Sequence, residues 1–439
     1  MNELYSPHFS VTESGILAMD GLGLPDIAKQ FGTPCYVVST DVIRENCRNC
    51  MDAMAARFGG RFRVSYASKA LCAGFVYRIL QEEGLCADVV SAGELYTALR
   101  AGFPAEKLHF NGNNKTAAEI DYALDCGIGA FVIDSHGEIP VLEAGCAHRG
   151  IRMPVYIRVK PGVEAHTHAY ISTGQNDSKF GFGAFDGEAM AAVRAVLECP
   201  HLELCGLHCH IGSQIMVAEP FKLAASVMVE FMDRIRRECG ITLPGLILGG
   251  GFGIRYMPDD KPLPVSDFVN AMADGLEETC ARLGYPMPFV GIEPGRSIVG
   301  DAGVTLYTVG DIKAIRDGGT YVAVDGGMTD NPRFALYQSD YWAVVADRAA
   351  EPACGSYSIA GKCCESGDLI TKDKPLQEPH TGDTLCVFAT GAYNFSMASN
   401  YNCICRPPVV LVDHGTARIA VRRQTFADLT ACDLSAEEK

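Results

Sequence analysis

The 439-residue sequence contains no apolar run that approaches the length of a membrane span. The chain has few positive charges, since it contains 37 Lys and Arg but 53 Asp and Glu, and its net charge at pH 7 is −16. This balance argues against nucleic acid or an anionic membrane as a partner. The N-terminal stretch MNELYSPHFS lacks a basic region followed by an apolar core, so nothing in it indicates export and we expect a cytoplasmic protein.

Paired cysteine motifs are also scarce, although the chain has 19 cysteines. Cys47 and Cys50 form one CxxC within a helical pattern, and no second pair follows at the spacing of a zinc ribbon. The odd count and irregular spacing indicate scattered, reduced and mostly buried thiols.

A regular alternation of short apolar runs and helical patterns extends from Arg61 to about Gly300. Eight such runs predict a (β/α)8 TIM-like barrel, because strands covered on both faces are apolar throughout. A doubly wound open sheet is the alternative. The predicted strands are Phe62–Ala67, Ala87–Val90, Leu108–Asn111, Ala130–Asp134, Val155–Val159, Leu202–His208, Leu246–Leu248 and Phe289–Ile292.

After Gly300 the pattern becomes β-rich, with turn signals at Asp317–Gly319 and Asp413–Gly415. This pattern predicts a second, mostly antiparallel β domain, and two domains suit the chain length. We expect residues 36–300 to form the barrel, residues 301–439 the β domain, and residues 1–35 a segment that contributes to the β domain.

Functional groups of such a barrel gather at the C-terminal ends of its strands. Lys69 follows the first predicted strand, where burial would lower the pKa of its amine. Such an amine is a nucleophile toward a carbonyl-bearing cofactor, most commonly pyridoxal phosphate. The simpler interpretation is a lysine that snorkels to solvent. Later strand ends carry Asp88–Glu94, Asn111–Asn114, Asp134, Arg158, His208–Gln214, Gly249–Gly253 and Glu293–Ser297.

Each of these groups has a task if pyridoxal phosphate binds. Gly249–Gly251 would let backbone N–H groups approach a phosphate, although a tight turn also explains a glycine run. Ser213 could add a hydroxyl donor, and Arg296 a positive charge. Glu293 could keep a pyridine nitrogen protonated, with a salt bridge to Arg296 as the structural alternative.

Two HxH pairs raise the possibility of a metal. His208 and His210 follow the sixth strand, whereas metal-dependent barrel hydrolases carry their pair after the first. His166 and His168 lie in a loop without a carboxylate pair at ligand spacing. We therefore predict no metal site, and interpret His210 as a ring that stacks on another ring.

Together these stretches resemble the fold-type III pyridoxal-phosphate decarboxylases, whose barrel and β domain are alanine racemase-like. The resemblance covers nearly the whole chain and is specific because its motifs occur in one order. They are YASKA, DVVSAGEL, HFNGNNK, RVKPGVEAHTHAYISTGQNDSKFGF, GLHCHIGSQI, LGGGFGIRY, EPGRS, VDGGMTDNPRFALY, CESGD and GAYNFSMASNYN.

The resemblance implies that Lys69 bonds to the cofactor, His210 stacks on its ring and Glu293 holds its ring nitrogen. It implies a homodimer in which Cys364 and Glu365 enter the partner's site, Cys364 as a catalytic group near the reacting carbon. The other implied cofactor-binding residues are Ser213, Gly250, Gly251, Gly295, Arg296 and Tyr393. The implied substrate-binding residues are Arg296, Arg333, Tyr337, Glu365 and Tyr393.

By its motifs the chain is most similar to the branch of this family that converts meso-2,6-diaminopimelate to L-lysine and CO2, the last step of lysine biosynthesis. Decarboxylation of ornithine, arginine, carboxynorspermidine or a D-amino acid is the nearest rival. A catalytically inactive homologue that binds another protein is the rival from a different class. Phe334 and Lys362 depart from the family pattern beside the substrate-reading loops and bear on fine specificity.

Overall fold

The computed structural model describes residues 5–163 and 179–434. The chain divides into two compact units. The barrel unit consists of Glu45–Gly253 and Pro262–Ser297, and the β unit consists of the described parts of Met1–Arg44, Ile254–Lys261 and Ile298–Lys439. The predicted HxH pair at His166 and His168 lies outside the described residues.

The strands are numbered in chain order. They are β1 (Phe9–Val11), β2 (Leu17–Met19), β3 (Leu22–Gly23), β4 (Cys35–Ser39), β5 (Phe62–Ala67), β6 (Cys86–Val89), β7 (Leu108–Phe110), β8 (Ala130–Ile133), β9 (Met153–Lys160), β10 (Phe182–Gly183), β11 (Leu202–His208), β12 (Gly245–Ile247), β13 (Phe289–Ile292), β14 (Gly303–Ala314), β15 (Thr320–Val324), β16 (Ala343–Val345), β17 (Gly355–Ala360), β18 (Leu369–Leu376), β19 (Thr384–Val387), β20 (Val409–Asp413) and β21 (Thr416–Val421).

The α-helices are numbered in the same way. They are α1 (Leu24–Phe31), α2 (Thr40–Phe58), α3 (Gly74–Glu82), α4 (Ala92–Arg100), α5 (Ala117–Asp125), α6 (Glu138–Arg149), α7 (Glu188–Leu197), α8 (Glu219–Cys239), α9 (Val265–Leu283), α10 (Arg296–Val299), α11 (Arg333–Tyr337) and α12 (Phe426–Thr430).

The barrel unit contains a closed parallel sheet. Its strands are ordered β5, β6, β7, β8, β9, β11, β12 and β13, and β13 pairs with β5. Every one of these pairings is parallel. Closure confirms the predicted (β/α)8 barrel and makes the open-sheet alternative wrong, because an open sheet would leave two unpaired edges.

Helix starts in the barrel follow from short capping sequences. The Ser91 side chain accepts the backbone N–H of Glu94 at the start of α4. Thr116 and Glu119 form a reciprocal capping box at the start of α5. Because each cap satisfies N–H groups that the first helical turn leaves unpaired, it fixes where the strand-to-helix loop ends.

The β unit contains a three-stranded antiparallel sheet, β1–β2–β3, and a larger sheet of order β18–β17–β15–β14–β4–β20–β21. Six of the eight pairings in the larger sheet and its β16–β19 branch are antiparallel, and β15–β17 and β4–β20 are parallel. This confirms the prediction of a mostly antiparallel domain. β4 lies beside β14, so a strand from before the barrel joins the β unit.

Aromatic rings form much of the β-unit core. The Phe388 ring lies 5.0 Å, centroid to centroid, from the rings of Tyr5, Phe9 and Trp342. The cysteines form no disulfide, and all 19 lie within the described residues. None of the helices that the structure describes is long and apolar enough to cross a membrane.

Candidate active site

Lys69 lies two residues beyond the end of β5, in a short 3-10 turn formed by Ser68–Ala70. Its neighbours Ser68 and Ala70 are buried, but Lys69 itself is exposed. The expectation of a buried amine is therefore wrong, because the 3-10 turn after β5 buries Ser68 and Ala70 and leaves Lys69 facing outward. Asp88 and His210 lie near Lys69. The positive charge of Lys69 lowers the pKa of each of these groups, in addition to the effects of burial and of their other neighbours.

Glu293 follows β13 and accepts hydrogen bonds on both carboxylate oxygens. His208 Nε2 lies 2.8 Å from Oε2, and Asn111 Nδ2 donates to Oε1 at 3.1 Å. The same Asn111 amide donates to Asp88 Oδ2 at 3.1 Å, and the backbone N–H of Ser68 donates to Asp88 Oδ1 at 3.1 Å. Four strand ends of the barrel are thus joined in one network that also reaches the turn bearing Lys69.

The network holds Glu293 in its ionised form. Burial on its own would raise the pKa of this carboxyl group, but His208, His109 and the Asn111 hydrogen bond outweigh burial and lower the pKa to about 2. Burial and the nearby Glu293 charge raise the pKa of Asp88 well above its usual value. The charge of the pair therefore resides on Glu293.

His210 lies against the glycine loop that follows β12. A Cβ atom on Gly249 would lie 2.9 Å from His210 Nδ1, and one on Gly251 would lie 2.1 Å from the backbone oxygen of Gly212. Gly249 and Gly251 also have φ values of +67° and +101°, where other residues are strained. Burial and then the Lys69 charge lower the pKa of His210 to about 3, so its imidazole is neutral.

The remaining predicted cofactor groups of the barrel are packed equally closely. A Cβ atom on Gly250 would lie 2.0 Å from the backbone oxygen of Glu293, and one on Gly295 would lie 2.9 Å from the Ala67 side chain. Arg296 is buried and donates to Ser213 Oγ at 3.1 Å. The loops after β5, β11, β12 and β13 therefore meet in one place.

The predicted substrate residues of the β unit include three that contact one another. The Arg333 guanidinium lies over the Tyr337 ring at 5.1 Å and over the Tyr393 ring at 5.4 Å, measured to the ring centroids. Tyr337 is exposed, and Tyr393 has a φ of +67°. Two aromatic faces therefore flank a planar guanidinium, a geometry that stabilises the positive charge.

Cys364 and Glu365 are both exposed on a turn of the β unit. The backbone N–H of Cys364 donates to Asn402 Oδ1 at 2.7 Å. The buried carboxylate of Asp368 accepts the backbone N–H groups of Cys363 and Met328, at 2.7 and 2.6 Å. Asp368 at the end of the turn and the distant Asn402 thus anchor the turn and leave its Cys–Glu tip exposed.

Several of these groups have no role that sequence reasoning identified. Asp88 and Asn111 stand at predicted strand ends, but nothing local shows that the Asn111 amide links Asp88 to Glu293. His208 was noticed only as half of an HxH pair, and Asp368 only as the last residue of CESGD. The sequence signal for Asp88 and Asn111 is their place at a strand end, and that for His208 and Asp368 is a predicted site residue close by in the chain.

Comparisons with known proteins agree with this geometry. The family model described as "Pyridoxal-dependent decarboxylase, pyridoxal binding domain" matches residues 41–300. A diaminopimelate decarboxylase from Bacillus subtilis (strain 168) is 48% identical over 422 residues, which cover 96% of each chain. The chain belongs to the diaminopimelate decarboxylase family.

Other members of the family match over similar lengths. The diaminopimelate decarboxylase from Halalkalibacterium halodurans is 45% identical, with 98% of each chain covered. The crystal structure of the M. jannaschii diaminopimelate decarboxylase in co-complex with L-lysine has a TM-score of 0.91 and 34% identity. That likeness covers 98% of this chain and 99% of the other.

Membership makes this chain a carboxy-lyase whose cofactor is pyridoxal 5'-phosphate. The barrel residues fit that cofactor. Because Gly249–Gly251 have no Cβ atoms, their backbone packs directly against the backbone of Cys209, Glu293 and Gly212 and stays on the rim, and an ionised Glu293 suits a protonated ring nitrogen. An arginine at the ring nitrogen, as in racemases, would disfavour such protonation.

Proposed function

We propose that this chain decarboxylates meso-2,6-diaminopimelate to L-lysine and CO2, the last step of lysine biosynthesis, at the strand ends where Lys69, His210 and Glu293 gather. The observation that carries the proposal is the buried Glu293 carboxylate with its pKa lowered to about 2, on the same rim as Lys69. A carboxylate kept ionised there matches a decarboxylase and not a racemase.

When bound, pyridoxal phosphate supplies a conjugated ring that accepts the electron pair left by the departing carboxylate. Lys69 would hold the cofactor's aldehyde carbon through its amine. Glu293 would hold the proton on the ring nitrogen. The neutral His210 imidazole can pack against the ring without adding positive charge to it. The phosphate would be held by N–H groups of Gly250, Gly251 and Gly295, together with Ser213, Arg296 and Tyr393.

The far end of the substrate carries an amine and a carboxylate, and so needs an anion and a cation beside each other. Arg333 offers a fork of donors to the carboxylate, and its Nε has no hydrogen-bond partner among the described residues. Arg296, Tyr337 and Tyr393 would complete the carboxylate pocket, and Glu365 would accept from the ammonium group.

We also propose a cytoplasmic homodimer whose active sites are shared between subunits. Cys364 and Glu365 are exposed at the tip of an anchored turn, which suits residues that act on a neighbouring chain. Cys364 would lie near the reacting carbon. Under this arrangement each site takes Lys69 from one subunit and Cys364 from the other.

A panel of amino acids tests the proposed reaction. Release of CO2 is measured with meso-diaminopimelate, ornithine, lysine, arginine and carboxynorspermidine under identical conditions. A site built to hydrogen-bond the second carboxylate rejects analogues without it by about 10⁴-fold or more in kcat/KM. A higher kcat/KM for any of the other substrates would contradict the assignment.

A further inference from the structure

Two donors on different strands converge on the Glu293 carboxylate. His208, the last residue of β11, reaches Oε2 at 2.8 Å, and Asn111, just after β7, reaches Oε1 at 3.1 Å. All three side chains are buried, with 1% to 8% of their surface exposed. Water therefore cannot readily replace either donor when it is lost.

The chemistry of the acceptors fixes the orientation of both donors. Asn111 Nδ2 lies 3.1 Å from both Glu293 Oε1 and Asp88 Oδ2, and an amide nitrogen rather than its oxygen must face two carboxyl groups. His208 Nε2 faces a carboxylate that only accepts, so Nε2 carries the proton. His208 Nδ1 and Asn111 Oδ1 have no hydrogen-bond partner in the described part of the chain.

We propose that His208 and Asn111 are positioning residues that hold the Glu293 carboxylate in one orientation toward the cofactor ring. This inference rests on the proposed function, because it assumes that Glu293 serves the ring nitrogen of pyridoxal phosphate. His208 and Asn111 touch neither substrate nor cofactor in this account and act only through Glu293.

Loss of one donor has a specific consequence. Glu293 would keep its place on the rim, but one buried oxygen would lack a partner and the carboxylate could rotate or take up a proton. Cofactor binding and turnover then weaken together, whereas groups that bind the substrate are untouched. A decrease in kcat with an unchanged KM for meso-diaminopimelate distinguishes this role from a general loss of structure.

The experiment compares His208→Met and Asn111→Leu, which remove a donor, with His208→Gln, which can keep an N–H near the position of Nε2. Each purified apoprotein is titrated with pyridoxal 5'-phosphate to give a dissociation constant, and each holoenzyme is assayed for kcat and KM. Because each variant without the donor loses a hydrogen bond to a charged group, we expect its cofactor affinity and its kcat to fall by about 10- to 100-fold. His208→Gln is expected to restore most of both.

A matched control lies at the opposite end of the same strand. His201, one residue before β11, pairs with Glu143 at 2.7 Å, but this pair lies away from the C-terminal rim. His201→Gln should leave cofactor affinity within about twofold of the wild type, because a partly exposed pair contributes little. The melting temperature of each apoprotein separates a local effect from unfolding.

The outcomes are separable. If Glu293→Gln itself keeps full cofactor affinity and turnover, the proposed function fails at this residue. If Glu293→Gln is inactive but His208→Met and Asn111→Leu stay within about twofold of wild type in affinity and kcat, the positioning role is wrong. The positioning role is also wrong if His208→Gln loses as much cofactor affinity and kcat as His208→Met. If His208→Met does not fold, the result for Asn111→Leu decides whether the positioning role holds.

Discussion

The two groups of functional residues differ in how they are held. On the barrel rim, Glu293, Asp88 and Asn111 are buried and joined by hydrogen bonds between strand ends. In the β unit, Cys364 and Glu365 are exposed, although the backbone N–H of Cys364 donates to the Asn402 side chain. The rim groups are therefore fixed by contacts within the barrel unit, whereas the tip of the turn is open to solvent.

This difference assigns different tasks to the two units. A buried, prearranged set of groups suits the cofactor, whose charges are always the same. An exposed Cys–Glu tip and an arginine between two aromatic rings suit a substrate that enters and leaves. Substitutions of the buried rim residues should therefore weaken cofactor binding, whereas substitutions of Arg333, Cys364 or Asp368 should slow turnover of the substrate and leave the cofactor bound.

The largest expected effect is that of Lys69→Ala. Without the amine that holds the cofactor, turnover should fall by about 10⁴-fold or more, because no other group can take over the covalent role. CO2 release and the yellow absorbance of the purified protein measure this loss. Lys29→Ala, on an exposed position of α1, is the control and should behave as wild type. Substantial turnover by Lys69→Ala would place the covalent site elsewhere.

The second-largest loss of activity is expected from Arg333→Met. It removes the guanidinium but keeps a long apolar side chain between the Tyr337 and Tyr393 rings. Loss of a donor fork to a carboxylate should lower kcat/KM for meso-diaminopimelate by about 10²- to 10³-fold. The cofactor spectrum should stay unchanged. Loss of the cofactor absorbance would contradict the assignment of Arg333 to the substrate rather than to the cofactor.

Subunit mixing tests whether the exposed turn acts on a neighbouring chain. Lys69→Ala and Cys364→Ala should each be inactive alone. After exchange, half of the dimers are hybrids with one intact site each, so about a quarter of wild-type activity should return. No recovery, with subunit exchange demonstrated by tagged chains, would show that each site is made from one chain.

A smaller effect is expected from Asp368→Asn. Its carboxylate anchors the Cys364 turn through the N–H groups of Cys363 and Met328, so the amide should loosen the turn without removing it. We expect kcat to fall about tenfold with cofactor affinity unchanged. Asp340→Asn, on an exposed aspartate paired with Lys374, serves as the control. A loss of cofactor affinity in Asp368→Asn would contradict the division between the units.

A separate prediction concerns the acid stability of the barrel unit and not its activity. Burial and then the Arg63 charge lower the pKa of His109 to about 3. The unfolded chain takes up this proton near pH 6.5 and the folded chain only near pH 3, so the stabilisation is complete above pH 6.5 and is lost as pH falls toward 3. The free energy of unfolding should decrease by up to about 1.4 kcal/mol per pH unit in that window. His109→Gln should flatten the slope, and the exposed His148→Gln should not.

The barrel could be predicted from the sequence because its signals are local. β5, β11 and β13 match their predicted bounds, and the other barrel strands lie within two residues of them. A buried parallel strand is apolar along its whole length, and the position of its C-terminal end then follows. The exposure of Lys69 did not follow, because it depends on the 3-10 turn after β5, which buries Ser68 and Ala70 but not Lys69, and the strand pattern does not predict that turn.

The β unit was harder to predict. Strands β17 and β18 were missed, since Gly355–Ala360 and Leu369–Leu376 mix polar, charged and apolar residues without a clear period. The links between Asp368 and Met328, and between Asn402 and Cys364, join segments about 40 residues apart. Contacts of this kind depend on the folded sheet, so motifs such as CESGD predict candidate site residues but not what holds them.

The proposal that the barrel rim is the catalytic site is tested most directly by locating the covalently held cofactor. The purified protein is reduced with borohydride, digested, and its peptides are mapped by mass spectrometry. We predict one modified peptide, with pyridoxal phosphate on Lys69, and no such peptide from Lys69→Ala. A modification at another lysine, or no modification in protein reconstituted with pyridoxal phosphate, would contradict the claim that this barrel rim is the catalytic site.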